Sequence, residues 1–212
     1  MDINLKDYNF YVEIIYKNNK NIYFRFNDRN VLVVTCPKKT SLEEIKKLIF
    51  ANEDALIKMY QNSLEKKSYN EKFHLLGKTY NVELNESIDK TYINGEYVYA
   101  KNEKELNFFV EEEINRVFNE EVEICKNCFN NLPEFKLKTR QMKTRWGVCN
   151  RYKKEITLNK ELIKRDVNLL DYVIIHEMAH FYEGNHSKKF WDIVSKACPK
   201  YKEYRKELRS WK

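Results

Sequence analysis

The sequence predicts an α+β protein, with a β-rich N-terminal region over residues 1–100 leading into a C-terminal α+β region over 101–212. Three observations lead there. Apolar and polar residues alternate with a period of two through roughly the first forty residues, as in half-buried strands. Two later segments, 42–60 and 103–130, carry apolar residues at helical spacing. Three of the chain's 4 histidines then fall in one window, His176-Glu177-Met178-Ala179-His180-Phe181-Tyr182-Glu183-Gly184-Asn185-His186, at the end of an apolar run. The two regions are compatible with one continuous domain.

Strands are expected at 8–16, 22–26 and 31–36, parted by Lys17-Asn18-Asn19-Lys20 and Asn27-Asp28-Arg29-Asn30, so a meander is the simplest topology. Ser41 and Glu44 form a capping box that opens a helix over 42–60. Short strands follow at 72–75, 79–84 and 91–100, the last folded back at an Asn94-Gly95 turn. His74 stands alone in the first of these and reads as structural. A long helix covers 103–130, with Leu106, Val110, Ile114, Val117, Ile124 and Cys128 near one face and Pro133 beyond its end. Strands at 135–142 and 155–158 flank Lys143-Thr144-Arg145-Trp146-Gly147. Asp166 caps the histidine-bearing helix, Ser187 caps the next, and Pro199 parts that one from a last helix. No internal repeat is visible, and with 4 Gly and 3 Pro there is no flexible linker.

A chain of 212 residues can bury a sizeable core. Its net charge of +7 comes from Lys and Arg interleaved with Glu, the pattern of a solvated surface. The densest basic stretch, residues 200–212, reads as an amphipathic helix with a basic outer face; contact with nucleic acid is the weaker alternative. The first residues lack the basic and apolar parts of a signal peptide, and no run of about 18 apolar residues exists. The expectation is a cytoplasmic protein without a membrane span. The 5 cysteines are odd in number and scattered, which suits a reducing compartment. Cys125 and Cys128 lack the second pair of a zinc ribbon and lie inside an expected helix, so they read as packing residues.

His176 and His180 are four residues apart, which stacks them on one helix face. Glu177 is rotated from His176 by about 100° and can approach a metal-bound water without being a ligand. A helical zinc site with a glutamate base has this form. A lone histidine on an apolar helix is usually a satisfied core residue. Two histidines and a glutamate after Leu169-Leu170-Asp171-Tyr172-Val173-Ile174-Ile175 are costly unless something, such as a metal, satisfies them. Glu183 shares their face, but on a continuing helix it lies about 10 Å along the axis from His176. Gly184 is expected to end the helix in a left-handed turn that folds His186 back as the preferred third ligand, with Glu183 the alternative. The histidine spacing matches the metzincin pattern, but Glu183 stands where that pattern has glycine, so the chain is not read as a metzincin.

Arg145-Trp146-Gly147 with Cys149, then Ile156-Thr157-Leu158-Asn159, then the segment from Asp171 to His180, then Asn185-His186-Ser187 and Phe190-Trp191 occur in that order. This set resembles the YgjP-like zinc metallopeptidase family, related to WLM and SprT-type proteins. The N-terminal Cys36-Pro37, the helix from Ser41 and Leu76-Gly77-Lys78-Thr79-Tyr80 also fit it. One departure is Val148, where the family usually has Ser. The resemblance implies a zincin-like metal-binding region, Zn2+ on His176, His180 and His186, and Glu177 as catalytic base.

The implied activity is a zinc-dependent metallopeptidase acting on a peptide or protein. Arg145, with Tyr182 behind it, is the candidate to hold charge developing on the substrate carbonyl. The strand at 136–142 is the candidate edge for an extended peptide. An alternative drawn from the same family is a nucleoside triphosphate (UTP-type) pyrophosphatase, with Lys136, Lys138, Arg140, Lys143 and Arg145 holding phosphates; against it, H-E-x-x-H is a poor Mg2+ site. A second alternative is a DNA-associated SprT-like protease, which the lack of a second zinc module weakens.

Overall fold

Leu32-Val33-Val34 is a continuous apolar run, and such runs belong to strands covered on both faces. It forms the start of β4 (Leu32–Pro37), which lies between β2 (Tyr8–Lys17) and β3 (Tyr23–Phe26), with β1 (Asp2–Leu5) on the far side of β2. The structure is a computed structural model that describes residues 1–70 and 72–211. β2 and β4 run parallel, with Val12 opposite Leu32, while β3 is antiparallel to β4. The expected meander is therefore wrong. Parallel neighbours need a crossover, and the buried faces of β4 demand an interior place that a meander would not require. β1 escaped the sequence reading because four residues are too few for an alternation to register, although Ile3 and Leu5 are buried.

The helix expected over 42–60 is two helices, α1 (Leu42–Ala51) and α2 (Glu53–Asn70). Ser41 caps α1 by accepting from the Glu44 N–H at 3.2 Å. Asn52 breaks the run: its side-chain amide donates to the Leu48 carbonyl at 2.8 Å, competing with the helix for that acceptor. Phe10, Leu32, Val34, Ile45, Ile49 and Leu56 form the core of this unit, which groups as Met1–Lys72.

The second unit, Phe73–Lys212, begins with β5 (Phe73–Leu75), β6 (Lys78–Leu84), β7 (Tyr92–Asn94) and β8 (Tyr97–Ala100). Their order, β5-β6-β8-β7, repeats the topology β1-β2-β4-β3, again with the central pair parallel and a helix after the fourth strand. A repeat therefore exists in topology where none is visible in sequence. The β7–β8 hairpin pairs Asn94 with Tyr97, so its loop is Gly95-Glu96, one residue later than expected. Residues 73–100, assigned by sequence to the N-terminal region, group with the C-terminal elements. Leu75 joins the core formed by Ile114, Phe118, Leu162 and Leu169, and the Leu76 N–H donates to Ile163 O at 2.7 Å. His74 is buried in β5 with Nδ1 3.1 Å from Thr79 Oγ1, a structural setting.

α3 (Glu103–Lys126) follows, capped by Asn102. A three-stranded sheet of order β10-β11-β9 comes next, from β9 (Lys136–Arg140), β10 (Gly147–Asn150) and β11 (Glu155–Asn159). The sequence reading missed β10, a four-residue strand that opens with glycine. A 3₁₀ turn (Lys160–Lys164) leads to α4 (Val167–Ala179), α5 (Lys188–Ala197) and α6 (Tyr201–Ser210). α4 is mostly apolar and buried along most of its surface, through Leu169, Leu170, Val173, Ile174 and Met178. Each such side chain stabilises by roughly 1.5–3 kcal/mol when fully buried. The helix is thus a rigid post against which α3, α5, α6 and β10 pack. Its N-cap Asp166 accepts from the Asn168 N–H at 2.9 Å and lies against Gly77. Gly77 has φ +77°, and a Cβ there would come within 3.1 Å of Asp166 Cα, so only glycine suits the turn.

All 5 cysteines are free. Burial, together with Asp171, pushes the Cys125 thiol well above its usual range, consistent with packing rather than thiolate chemistry. The α+β class and the β-rich start are as the sequence predicts. Among the described residues no helix is long and apolar enough to cross a membrane.

Candidate metal centre

α4 ends at Ala179, with His180 as its C-cap. His176 and His180 therefore sit on the last turn, where the backbone is still helical and their rings project together. Gly184 does not end the helix, and its φ is not left-handed. A Cβ there would stand 2.6 Å from Arg151 Nη1, the end of an exposed side chain that can move aside, so neither backbone conformation nor packing requires glycine at this position. The chain turns back through Phe181 and Glu183, whose N–H groups bond to Met178 and Ala179 carbonyls. His186 is then fixed between two caps. Asn185 Oδ1 accepts from the Ser187 N–H at 3.0 Å, and Ser187 Oγ accepts from the Phe190 N–H at 3.4 Å at the start of α5.

This path brings His186 Nε2 to 3.1 Å from His176 Nε2. One ring nitrogen from each of His176, His180 and His186 lies within 4.8 Å of the others. Glu183 does not join the group; its main-chain carbonyl instead meets His180 Nδ1 at 3.2 Å, which turns the other ring nitrogen toward the cluster. Phe190, fully buried, packs behind all three imidazoles at 4.6–4.9 Å between ring centroids. Trp191 stacks on His186 at 5.6 Å. Sequence reasoning noted Phe190 and Trp191 only as a motif; here they are the wall that holds the rings.

Burial, reinforced by the neighbouring imidazoles, pushes the His176 pKa down to about 3, and burial also lowers that of His180. Burial thus favours the neutral form of His176 and His180, and that suits a cation, because metal ligands have to be deprotonated. His176 Nδ1 is buried without a hydrogen-bond partner, so on that side the ring is held by packing. The donor set, three imidazole nitrogens with no thiolate, fits a divalent transition metal such as zinc.

Glu177 is 6% exposed and lies beside the cluster. Burial raises its pKa to about 8, against the opposing pull of the Cys149 N–H and of Arg145. Room for its carboxylate exists because residue 147 is glycine: a Cβ there would be 2.7 Å from Glu177 Oε1. The loop before Gly147 is anchored by Asn159 at the end of β11. Its side-chain amide donates to Met142 O at 2.8 Å and Arg145 O at 2.9 Å, and its Oδ1 accepts from the Met142 N–H at 3.2 Å. Asn159 is a positioning residue that sequence reasoning did not single out, although the Leu-Asn strand end was in view. The Trp146 indole N–H donates to Leu208 O at 3.2 Å and ties the same loop to α6.

Two cavities, of about 320 and 370 Å3, share Arg145, Gly147, His176, Glu177 and His186, so a cleft runs across the cluster. Arg145 lines both. Tyr182 lines neither; its hydroxyl donates to Asn130 O at 2.6 Å and its ring stacks on Phe129 at 5.8 Å. It is committed elsewhere and does not stand behind Arg145. β9 likewise lines neither cavity, and Lys138 is paired with Glu155 at 2.8 Å. The edge beside the cleft is β10, through Gly147, Val148 and Cys149. Of the basic residues considered for phosphate, Arg145 alone borders the cleft among the described residues.

Residues 20–211 match a family described as YgjP-like, metallopeptidase domain. Among solved structures, the metallopeptidase zymogen abylysin of Pyrococcus abyssi is 24% identical with a TM-score of 0.41, over 43% of this chain and 90% of that one. The metallopeptidase zymogen jannalysin of Methanocaldococcus jannaschii is also 24% identical, with a TM-score of 0.34, over 45% of this chain and 96% of that one. No curated protein matches.

Proposed function

The chain belongs to the YgjP-like family of metallopeptidase domains, and from that premise we propose that it is a zinc peptidase in which His176, His180 and His186 hold the metal and Glu177 is the general base. Membership implies a hydrolase with a divalent metal and a peptide or protein substrate. The observation that carries the finer reading is the meeting of three imidazoles within 4.8 Å beside a carboxylate for which Gly147 makes room.

Bound zinc supplies Lewis acidity toward a water and a scissile carbonyl. Glu177 takes the proton of the attacking water on its carboxylate and returns it to the leaving amine. A cation beside it opposes the effect of burial and favours the ionised form that a base requires. The guanidinium of Arg145 borders both arms of the cleft and is the group we assign to negative charge developing on the carbonyl oxygen. The main chain of β10 offers an extended peptide a strand to lie along. Val148, where the family usually has Ser, lines the cleft without a side-chain hydroxyl. We place the activity in the cytoplasm, where free cysteines persist.

The test is direct. Zinc-loaded protein should cleave an unfolded protein such as casein and leave UTP intact, with products read by mass spectrometry. Release of pyrophosphate from UTP without cleavage of casein would overturn the assignment. Cleavage that depends on added DNA would move it to the SprT-like alternative.

The third ligand has its own test. His186→Ala should lose zinc by elemental analysis, while Glu183→Ala should keep nearly all of it, because Glu183 contributes its main-chain carbonyl, which alanine retains. The opposite pattern would assign the ligand to Glu183.

A further inference from the structure

We propose that Arg205 and Arg209 of α6 form a carboxylate subsite beside the histidine cluster, which makes the enzyme prefer peptides bearing a negative carboxylate near the scissile bond. The preference in cleavage rests on the peptidase reading; the carboxylate-binding site itself does not.

Arg205 and Arg209 are four residues apart and share one face of α6. The helix is held in rotation by Leu208, which is buried and whose carbonyl takes the Trp146 indole N–H. That leaves both arginines lining the cavity of about 320 Å3 that also contains His176, Glu177 and Arg145. The Arg205 guanidinium lies 4.5 Å from the Trp191 ring, and Trp191 stacks on His186. Arg205 and Arg209 are both exposed, and the ring contact keeps the Arg205 guanidinium at the mouth of the cavity beside the cluster. The expected basic outer face of this helix is thus divided, with two of its cations facing the cleft.

Elsewhere on this chain long cations find carboxylates: Arg116 pairs with Glu113 and Glu120, and Lys160 with Glu111. Among the described residues no such ion pair forms at Arg145, Arg205 or Arg209. Three guanidiniums line one cavity, and among the described residues that line it Glu177 alone carries a carboxylate. Low-dielectric walls, here Val173 and Leu208, focus such a field and raise the local concentration of anions. A guanidinium matches a carboxylate with two parallel N–H bonds. The apolar wall suits the methylenes of a glutamate. A triphosphate fits less well, since it arrives with Mg2+ that seeks carboxylate oxygens, and among the described lining residues Glu177 alone offers them. The carboxylate has two possible sources, an acidic side chain or a peptide's C-terminus.

The experiment separates these. Zinc-loaded Glu177→Gln protein binds labelled alanine hexapeptides in which one glutamate is moved through the sequence, each with a glutamine twin, and fluorescence anisotropy gives Kd. Further peptides without acidic residues carry a free or an amidated C-terminus. At one position, or at the free C-terminus, the carboxylate form should bind about tenfold tighter, the scale of one charge-assisted hydrogen bond. The ratio should fall to near one when Arg205→Gln and Arg209→Gln are added, with zinc content unchanged. Arg205→Lys with Arg209→Lys, which keeps the charge, should retain part of the preference and guards against misfolding of the glutamine variant. Twins that bind equally, or a ratio indifferent to both arginines, would overturn the subsite. So would arginine-dependent binding of UTP with no preference among peptides. Wild-type protein that cleaves none of the peptides while the preference stands would fail the peptidase reading and leave the subsite; cleavage without preference does the reverse.

Discussion

Protein carrying His176→Ala or His180→Ala should purify without stoichiometric zinc. Each substitution removes one of three nitrogens that lie within 4.8 Å of each other, and two remaining imidazoles leave the ion to water. Loss of an outer hydrogen bond to a ligand typically costs about 10–100-fold in metal affinity, and loss of the ligand itself should exceed that. Elemental analysis reads the stoichiometry. Thermal unfolding gives an independent readout, since a ligand that binds only the folded state stabilises it by about 2.7 kcal/mol at a hundred times its Kd. Added zinc should raise the melting temperature of the wild type and leave that of either variant nearly unchanged. His176 packs against Phe190 and Tyr172, so its alanine variant also opens a void. His180→Gln, which keeps more of the side-chain volume, separates that effect from loss of the ligand. Full zinc in these variants would show that the histidine cluster holds no metal.

The cluster was legible because its determinants are local. Spacing on one helix brings His176 to His180, and the capping residues Asn185 and Ser187 either side of His186 are visible in the chain itself. The caps Ser41 and Asp166 were legible for the same reason. What stayed hidden depends on pairing across long separations. Nothing in residues 8–36 read one by one states that β2 lies parallel to β4, because the alternation reports a buried face and not a partner. Nor does period reveal which strand edge borders the cleft, so β9 was preferred where β10 lies. Tyr182 looked available until Asn130, far away in sequence, took its hydroxyl. Arg205 and Arg209 read as solvated surface, since only the docking of Leu208 on Trp146 turns them toward the metal centre. Gly184 misled for a different reason. Glycine often marks a left-handed turn, but here φ is not left-handed and the nearest side-chain atom is the movable end of exposed Arg151, so the residue carries no turn signal.

Glu177→Gln should retain zinc and fold but lose turnover by about 10²–10⁴-fold, the usual contribution of a positioned proton transfer. Glutamine is nearly isosteric, so the space left by Gly147 still accommodates it. Its amide cannot accept the water's proton at neutral pH. The substitution also removes a carboxylate that is 6% exposed and whose pKa burial raises, so it relieves a burial cost and should not lower stability. That sign distinguishes the variant from one that fails by unfolding: the melting temperature should hold or rise while kcat falls. Elemental analysis, thermal unfolding and initial rates on whichever peptide proves to be cleaved together read the three quantities. Wild-type rates in Glu177→Gln protein would remove the glutamate from the mechanism even with zinc in place. The three histidines would then describe a structural metal site. Loss of zinc along with the rate would instead make Glu177 a ligand of the metal, a role that its rotation of about 100° from His176 around the helix argues against.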